Sequence, residues 1–475
     1  MKKLILSLLF FAATLTAANA ATPWHHGRLM VSADSTYLQH ADGTPFFWLG
    51  DTGWLLPQRL THGEADHYLS SLAGAGFNVV QVQVMNGVPS ENVYGSSSMP
   101  HGYDFDAIGK GKDGTAYWDN MDRIVATAAA KGIYVGMVCV WGGQVKAGRL
   151  SVSQARRYGR FLARRYKDCP NIVWIIGGDI RGDIKPEVWN ALAEAIKAED
   201  KNHLMTFHPF GRTMSATWFN NAKWLDFNMS QSGHRRYGQR RGDGDYTIEP
   251  GTEEDNWRYV EKSLAFRPLK PVLDAEPIYE NIPQGLHDTT QPRWTAKDVR
   301  RYAYWSVFAG SCGHTYGHNS IMQFYKPGIS SGYGNDMPWY DALKSPGFNQ
   351  MKHLKRLMLA FPPQGRVADN AALVGGEGYR YDYIAVTRGK GYMLAYDYSA
   401  RPMTLDLGRM GAGRKKAWWY GPADGSLQYI GEFDAKPATF SYDAPYMDGH
   451  DRVLIVTDGD TRYVEDNLNG KPQDK

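Results

Sequence analysis

At 475 residues the chain is too long for one ordinary domain, and two are expected. It is rich in aromatics (13%) and glycine (51 residues), and its charges are interspersed to a net +4. That is not the clustered basic footprint of a nucleic-acid binder.

The N-terminus reads as an export signal. Lys2-Lys3 supply the charged start, residues 4–15 the apolar stretch, and Ala18-Asn19-Ala20 a small-x-small cleavage site before Ala21. The apolar run is too short to span a bilayer, so no membrane insertion is expected after cleavage. No Cys follows the site, so a lipoprotein anchor is not indicated. The bacterial form of the segment points to the periplasm or the cell exterior.

Residues 29–39 and the Asp42-Gly43 turn look like a short hairpin cap. Apolar strand-like runs then alternate with helical patterns. The runs are 46–54, 77–84, 133–141, 172–179, 203–209, 224–229, 271–276 and 309–316. The helical patterns are 64–73, 118–130, 152–166, 186–198, 252–263 and 295–307, with 348–359 closing the ring. This alternation, over roughly 250–300 residues, predicts an α/β fold, a (β/α)8 barrel. Continuous apolar runs suit strands buried on both faces. An open doubly wound sheet would carry a Gly-rich phosphate turn after its first strand, and Gly50-Asp51-Thr52-Gly53-Trp54 has no such pattern.

After Phe361-Pro362-Pro363, short strands such as 383–387, 392–396 and 453–456 lie between Gly, Asp and Pro turns. They predict a small antiparallel β-sandwich. The expected division is a signal at 1–20, the capped barrel at 21–362, the sandwich at 363–460 and a polar, frayed tail at 461–475. Cys139, Cys169 and Cys312 read as small buried residues rather than a disulfide framework, and no Cys/His pair has zinc-site spacing. Arg235-Arg236 and Arg240-Arg241 form the most basic stretch, either a solvated loop or a contact for an anionic polysaccharide.

In such a barrel the active site lies at the C-terminal ends of the strands. Those ends offer Asp51 and Trp54, Gln81, Gln83 and Asn86, Trp141, Asp179, His208, Asn228, Gln231 and His234, Glu276 and Tyr279, and His314, Tyr316 and His318. Rings of this kind stack on sugar faces, and the polar groups bind hydroxyls. Glycosidic cleavage needs one carboxylic acid for the leaving oxygen and a second carboxylate to attack or to activate water. Asp179 and Glu276, ending runs four and seven across the mouth from one another, are the best-placed pair. The rival for Asp179 is a turn cap, but Gly177-Gly178 clears space beside its carboxylate. Pro277 holds Glu276 extended. Asp274 shares its parity and is expected deeper in the barrel, as a hydrogen-bonded structural group. Asp51 is read as a hydroxyl-binding residue, with a tie between the first loop and the rim as the alternative. His208, His234 and His314 lack the His-x-x-x-His pattern of a metal helix, so sugar binding or core hydrogen bonding is expected and no metal or other cofactor.

Four segments resemble glycoside hydrolase family 140, the bacterial apiosidases acting on the pectin rhamnogalacturonan II. They are Phe47-Trp48-Leu49-Gly50-Asp51-Thr52-Gly53-Trp54, Gly76-Phe77-Asn78-Val79-Val80-Gln81, Trp174-Ile175-Ile176-Gly177-Gly178-Asp179 and Asp274-Ala275-Glu276-Pro277-Ile278-Tyr279-Glu280. The C-terminal part looks like a module often labelled collagen-binding. The resemblance implies Asp179 as acid/base, Glu276 as nucleophile, and retention, with carboxyls about 5–5.5 Å apart. Related barrel glycosidases usually carry Asn-Glu where this chain has Gly178-Asp179, a departure that fits a small branched furanose such as apiose. The expected partner is a plant cell-wall polysaccharide or oligosaccharide. The alternatives are a glycosidase on a β-mannan, β-glucan or arabinofuranoside, a non-catalytic carbohydrate-binding protein, and a metal-dependent hydrolase.

Overall fold

The structure is a computed structural model and describes residues 22–99, 104–239, 249, 251–442 and 450–469. The predicted export signal and the pair Arg240-Arg241 lie outside the described residues. Among those described, no helix is long and apolar enough to cross a membrane.

Eight strands run parallel: β1 (Trp48–Thr52), β2 (Val79–Gln83), β3 (Tyr134–Val138), β4 (Ile172–Ile180), β5 (Met205–Pro209), β6 (Asn228–Gln231), β7 (Val272–Asp274) and β8 (Gly313–Tyr316). Their ladders run from β5 through β4, β3, β2 and β1 to β8, β7 and β6. The ring closes between β5 and β6, where the Asp226 N–H donates to the Met205 carbonyl at 2.8 Å. The Thr206 hydroxyl adds a bond to the Phe227 carbonyl at 2.7 Å. A two-residue strand, Thr213–Met214, pairs antiparallel with β6. Around the ring pack α1 (His62–Gly74), α2 (Gly111–Ala130), α3 (Val152–Tyr166), α4 (Pro186–Glu199), α5 (Trp257–Leu264), α6 (Ala296–Phe308) and α7 (Pro346–Leu359). Capping boxes start three of them, with Thr61 and Glu64 at α1, Ser151 and Gln154 at α3, and Thr295 and Asp298 at α6.

The strands separate two cores. Trp48, Val79, Val173, Ile175, Met229 and Leu273 fill the barrel interior, whereas Leu49, Val80, Trp174, Ile176 and Phe207 pack under the helices. The cap is a three-stranded antiparallel sheet, Leu29–Val31, Leu38–His40 and Pro45–Phe46. Its Leu29, Leu38 and Phe46 join the interior core, so the cap plugs the N-terminal end. Most strands are shorter than the expected runs, as at Tyr134–Val138 and at Val272–Asp274, which leaves Trp141 and Glu276 beyond their strand ends. Phe46 belongs to the cap, β6 begins at Asn228, and β8 begins at Gly313 because α6 runs on to Phe308.

The C-terminal part contains a six-stranded antiparallel sheet and a two-stranded one, Met403–Asp406 with Pro437–Phe440. It is docked on the barrel by stacked rings and buried charge. Trp257 lies on Tyr383 with ring centres 4.5 Å apart, and Tyr304 on Tyr396 at 4.7 Å. Arg300 pairs with Asp451 at 2.5 Å, both buried. The tail is not frayed where it is described. Tyr463–Asn467 form a short helix whose Val464, with the following Leu468, packs into the main core.

Candidate active site

Asp179 owes its position to an irregular strand end. The β4–β5 ladder pairs Gly177 with His208 and then Ile180 with Pro209, so Gly178 and Asp179 loop out of register. Gly177, Gly178 and Asp179 have φ of 88°, 109° and 48°, a run that two glycines and a short polar residue tolerate. The glycines do not clear space for a ligand. A Cβ on Gly178 would stand 2.8 Å from the Trp141 ring, and one on Gly177 2.6 Å from the His208 carbonyl. Gly178 therefore admits Trp141, which lies half-buried at the mouth.

Glu276 is buried just beyond β7. Its segment is pinned by Glu280, which accepts the Tyr316 hydroxyl at 2.5 Å and the Gly347 N–H at 3.1 Å. The Tyr279 hydroxyl donates to Glu276 Oε1 at 2.6 Å and accepts the Trp54 indole N–H at 2.9 Å. Room for the Tyr279 ring comes from Gly317, where a Cβ would stand 2.1 Å from Tyr279 Cδ1. His234 Nε2 lies 3.4 Å from Oε1, with its ring edge-on to Tyr279 at 4.5 Å. His208 Nδ1 accepts the Asp179 backbone N–H at 3.3 Å, which leaves Nε2 to carry the proton, 3.2 Å from Glu276 Oε2. That last contact is close but too bent to complete a hydrogen bond, so Oε2 keeps capacity for a further partner.

The two carboxyls are driven apart in acidity. Burial and the Glu276 charge push Asp179 up to about 6, against His208, His234 and the Gln231 side chain. Burial would also raise Glu276, but the His208 and His234 ring nitrogens beside its oxygens outweigh it and hold the group well below the usual carboxylate range. One site thus offers a proton donor and an ionised carboxylate together.

The structure gathers Trp54, Trp141, His208, His234 and Tyr279 around this pair. Trp54 sits 5.7 Å from Trp141 and 5.4 Å from His208, ring centre to ring centre. Gln83 ends β2 on the inward face shared by Val79 and Gln81. The reading of His208 and Tyr279 as sugar contacts is corrected, since both are buried and engage Glu276 itself. Asp51 and His314 are corrected outright. Asp51 is fully buried on the helix side of β1, where Tyr68 of α1 donates to it at 2.5 Å and burial pushes its carboxyl up to about 7. His314 pairs in register with Leu49 and Asp274, so it too faces the helix layer, and burial lowers its ring to about 3. Asp274 is bound there by Ser232 and Asn256. Among the described residues, no group of three or more His, Cys, Asp or Glu is arranged to hold a metal ion.

Gln231, one of the strand-end groups expected at the mouth, and Tyr333, which is not among them, complete the site. Gln231 ends β6 beside Asp179, whose ionised form it favours. Tyr333, from the loop after β8, is half-buried at φ 60°, and burial with the charges of Glu276 and Asp179 raises its hydroxyl. Gln231 sits at a strand end and was legible; nothing in the sequence marks Tyr333. An apolar cavity of 410 Å³ opens at the other end of the barrel, beside Phe46, Cys312 and Met358, and none of the site residues borders it.

Opposed carboxyls across a barrel mouth meet the demands of acid-assisted glycosidic cleavage, and the class is that of barrel glycoside hydrolases. Residues 32–364 match the family model "Apiosidase-like, catalytic domain", and the chain belongs to that family. Residues 367–457 match "Putative collagen-binding domain of a collagenase". A solved structure titled "Glycoside hydrolase" is 60% identical, covering 94% of this chain and 100% of its own, with a TM-score of 0.91. A glycoside hydrolase family 5 protein from Bacteroides vulgatus ATCC 8482 is 58% identical, covering 96% and 99%, with a TM-score of 0.92. No curated protein matches.

Proposed function

We propose that this protein is an exported, retaining glycoside hydrolase that cleaves apiosidic linkages in rhamnogalacturonan II side chains, as glycoside hydrolase family 140 does. The observation that carries the reading is the pair itself. Asp179 has its acidity weakened, and Glu276 is held ionised with Oε2 unfilled. In the first step Glu276 Oε2 attacks the anomeric carbon while Asp179 gives its proton to the leaving oxygen, breaking the glycosidic bond. In the second, Asp179 takes a proton from water, whose oxygen displaces Glu276 from the anomeric carbon and returns the carboxylate. Asp in place of the commoner Glu shortens the acid's reach, and the bulge at Gly178 carries it forward of the ladder. The half-buried Trp141 offers a face for the sugar.

The test is a product screen by mass analysis on rhamnogalacturonan II fragments, with β-mannan, β-glucan and arabinofuranosides in parallel. Release of a fragment ending in apiose supports the assignment. Cleavage confined to the other polymers refutes the substrate, and binding without cleavage of any refutes the activity.

A further inference from the structure

His234 reaches Glu276 from the loop after β6, and that loop is tied to three consecutive acids: the Gly238 N–H donates to Glu253 at 3.0 Å, the Tyr237 hydroxyl donates to Asp255, and the Tyr237 backbone donates to Glu254. Glu254, 1% exposed, accepts the Tyr237 backbone N–H at 2.8 Å and pairs with Arg301 of α6 at 2.6 Å. It also accepts the Tyr381 hydroxyl, at 3.1 and 3.3 Å to its two oxygens. Tyr381 belongs to the C-terminal sandwich, in the single 3-10 turn Arg380–Asp382. The same turn lays the Arg380 guanidinium 4.8 Å over the Tyr237 ring, and the Tyr381 ring meets Tyr237 edge-on at 5.4 Å. Arg380 stands at φ 53°, a left-handed conformation that persists only where surrounding contacts impose it. The Tyr379 hydroxyl, on the same turn, lies 3.4 Å from the Gly251 carbonyl. From the barrel side, the Gly285 N–H holds the His234 carbonyl at 3.1 Å.

We infer that the sandwich turn 379–382 is a positioning element of the active site, pressing Tyr237 and Glu254 into the place that keeps His234 against Glu276. The inference rests on the reading of Glu276 as nucleophile. Arg380 and Tyr381 touch neither substrate nor reacting atoms and act through the loop. Glu276 is faced by His208, Asp179, Tyr333 and its own Tyr279, with Asp274 farther off; the loop that the turn touches brings it His234 and, on its carbonyl, the Gly233 N–H at 3.1 Å.

The experiment compares the full-length wild type with Arg380→Ala/Tyr381→Ala and with Tyr381→Phe, which keeps the ring and loses the hydroxyl. Hydrogen exchange is read across residues 232–239, alongside the pH profile of kcat/KM. In the double variant the amides of 233–239 should exchange at least about tenfold faster while β1–β5 stay unchanged. The kcat should fall about tenfold with KM within about twofold of wild type. The acid limb should move to higher pH, because burial raises Glu276 once the His234 ring is no longer held 3.4 Å from Oε1. Tyr381→Phe should lie between. A turn that only glues the domains together would lower thermal stability and leave the acid limb in place, which overturns the inference, as does unchanged exchange at 233–239. Should the wild type cleave no glycoside, the proposed function fails, and exchange at the loop still decides the brace.

Discussion

Replacing Tyr279 with Phe deletes one oxygen that serves two buried partners. It donates to Glu276 Oε1 at 2.6 Å and accepts from Trp54 Nε1 at 2.9 Å. A hydrogen bond to a charged group contributes about 1.5–3 kcal/mol, and about 1.36 kcal/mol is one pKa unit, so Glu276 should rise by about 1–2 units. The carboxylate also loses the bond that fixes its rotation, and kcat/KM should drop roughly 10–100-fold with an acid limb displaced upward. Trp54, buried and left without an acceptor, should cost about 1–3 kcal/mol of stability by urea unfolding. The assay is kcat/KM against pH on one glycoside for both proteins. Gly317→Ala is an independent route to the same fault, since its Cβ would collide with the Tyr279 ring. Profiles that superimpose, with rates within threefold or so, would refute the claim that Tyr279 holds the nucleophile.

Three further expectations follow from the same geometry. Because Asp179 must be protonated to act and is held at about 6, kcat/KM should fall as pH rises through that value; a rate constant up to pH 8 counts against it as the acid. A carboxyl raised in the folded state from 3.8 to about 6 binds its proton more tightly there, so folding is penalised as pH climbs through this window. Asp179→Asn should thus be about 1–2 kcal/mol more stable than wild type at pH 8, after solvent screening, and nearly equal at pH 4; a stability difference independent of pH would contradict this. Gly178→Ala must strain a φ of 109° and push the Trp141 ring aside, so it should lose about 1–3 kcal/mol and most activity; wild-type stability in that variant would show that the bulge is not constrained.

The barrel was legible because its strands are apolar on both faces and separated by helical periods. The same property hid which face each polar residue takes. Asp51 and His314 sit on strands where inward and outward neighbours are equally apolar, so hydropathy could not say that both look toward the helices. Asp179 and Glu276 stood out because each follows a long apolar run. What that pattern could not show is that β4 breaks register at Gly178, or that the chain beyond Asp274 turns inward to bring Glu276 to the mouth. The role of His208, and the Trp54 bond that steadies Tyr279, depend on distances of about 3 Å between separate strand ends, which no local pattern encodes. Tyr333 arrives from a long loop whose path is fixed by tertiary bonds such as Asn319 Nδ2 to its carbonyl at 2.9 Å. The sandwich was recognisable by its turns, but the reach of Tyr381 to Glu254 was not.

The central claim is that Glu276 is the carboxylate that attacks. Wild type and Glu276→Gln, both confirmed folded, should be incubated with rhamnogalacturonan II oligosaccharides and their products read by mass. The account predicts cleavage next to apiose by the wild type and no product from the variant. Product release by Glu276→Gln at the wild-type rate would contradict it.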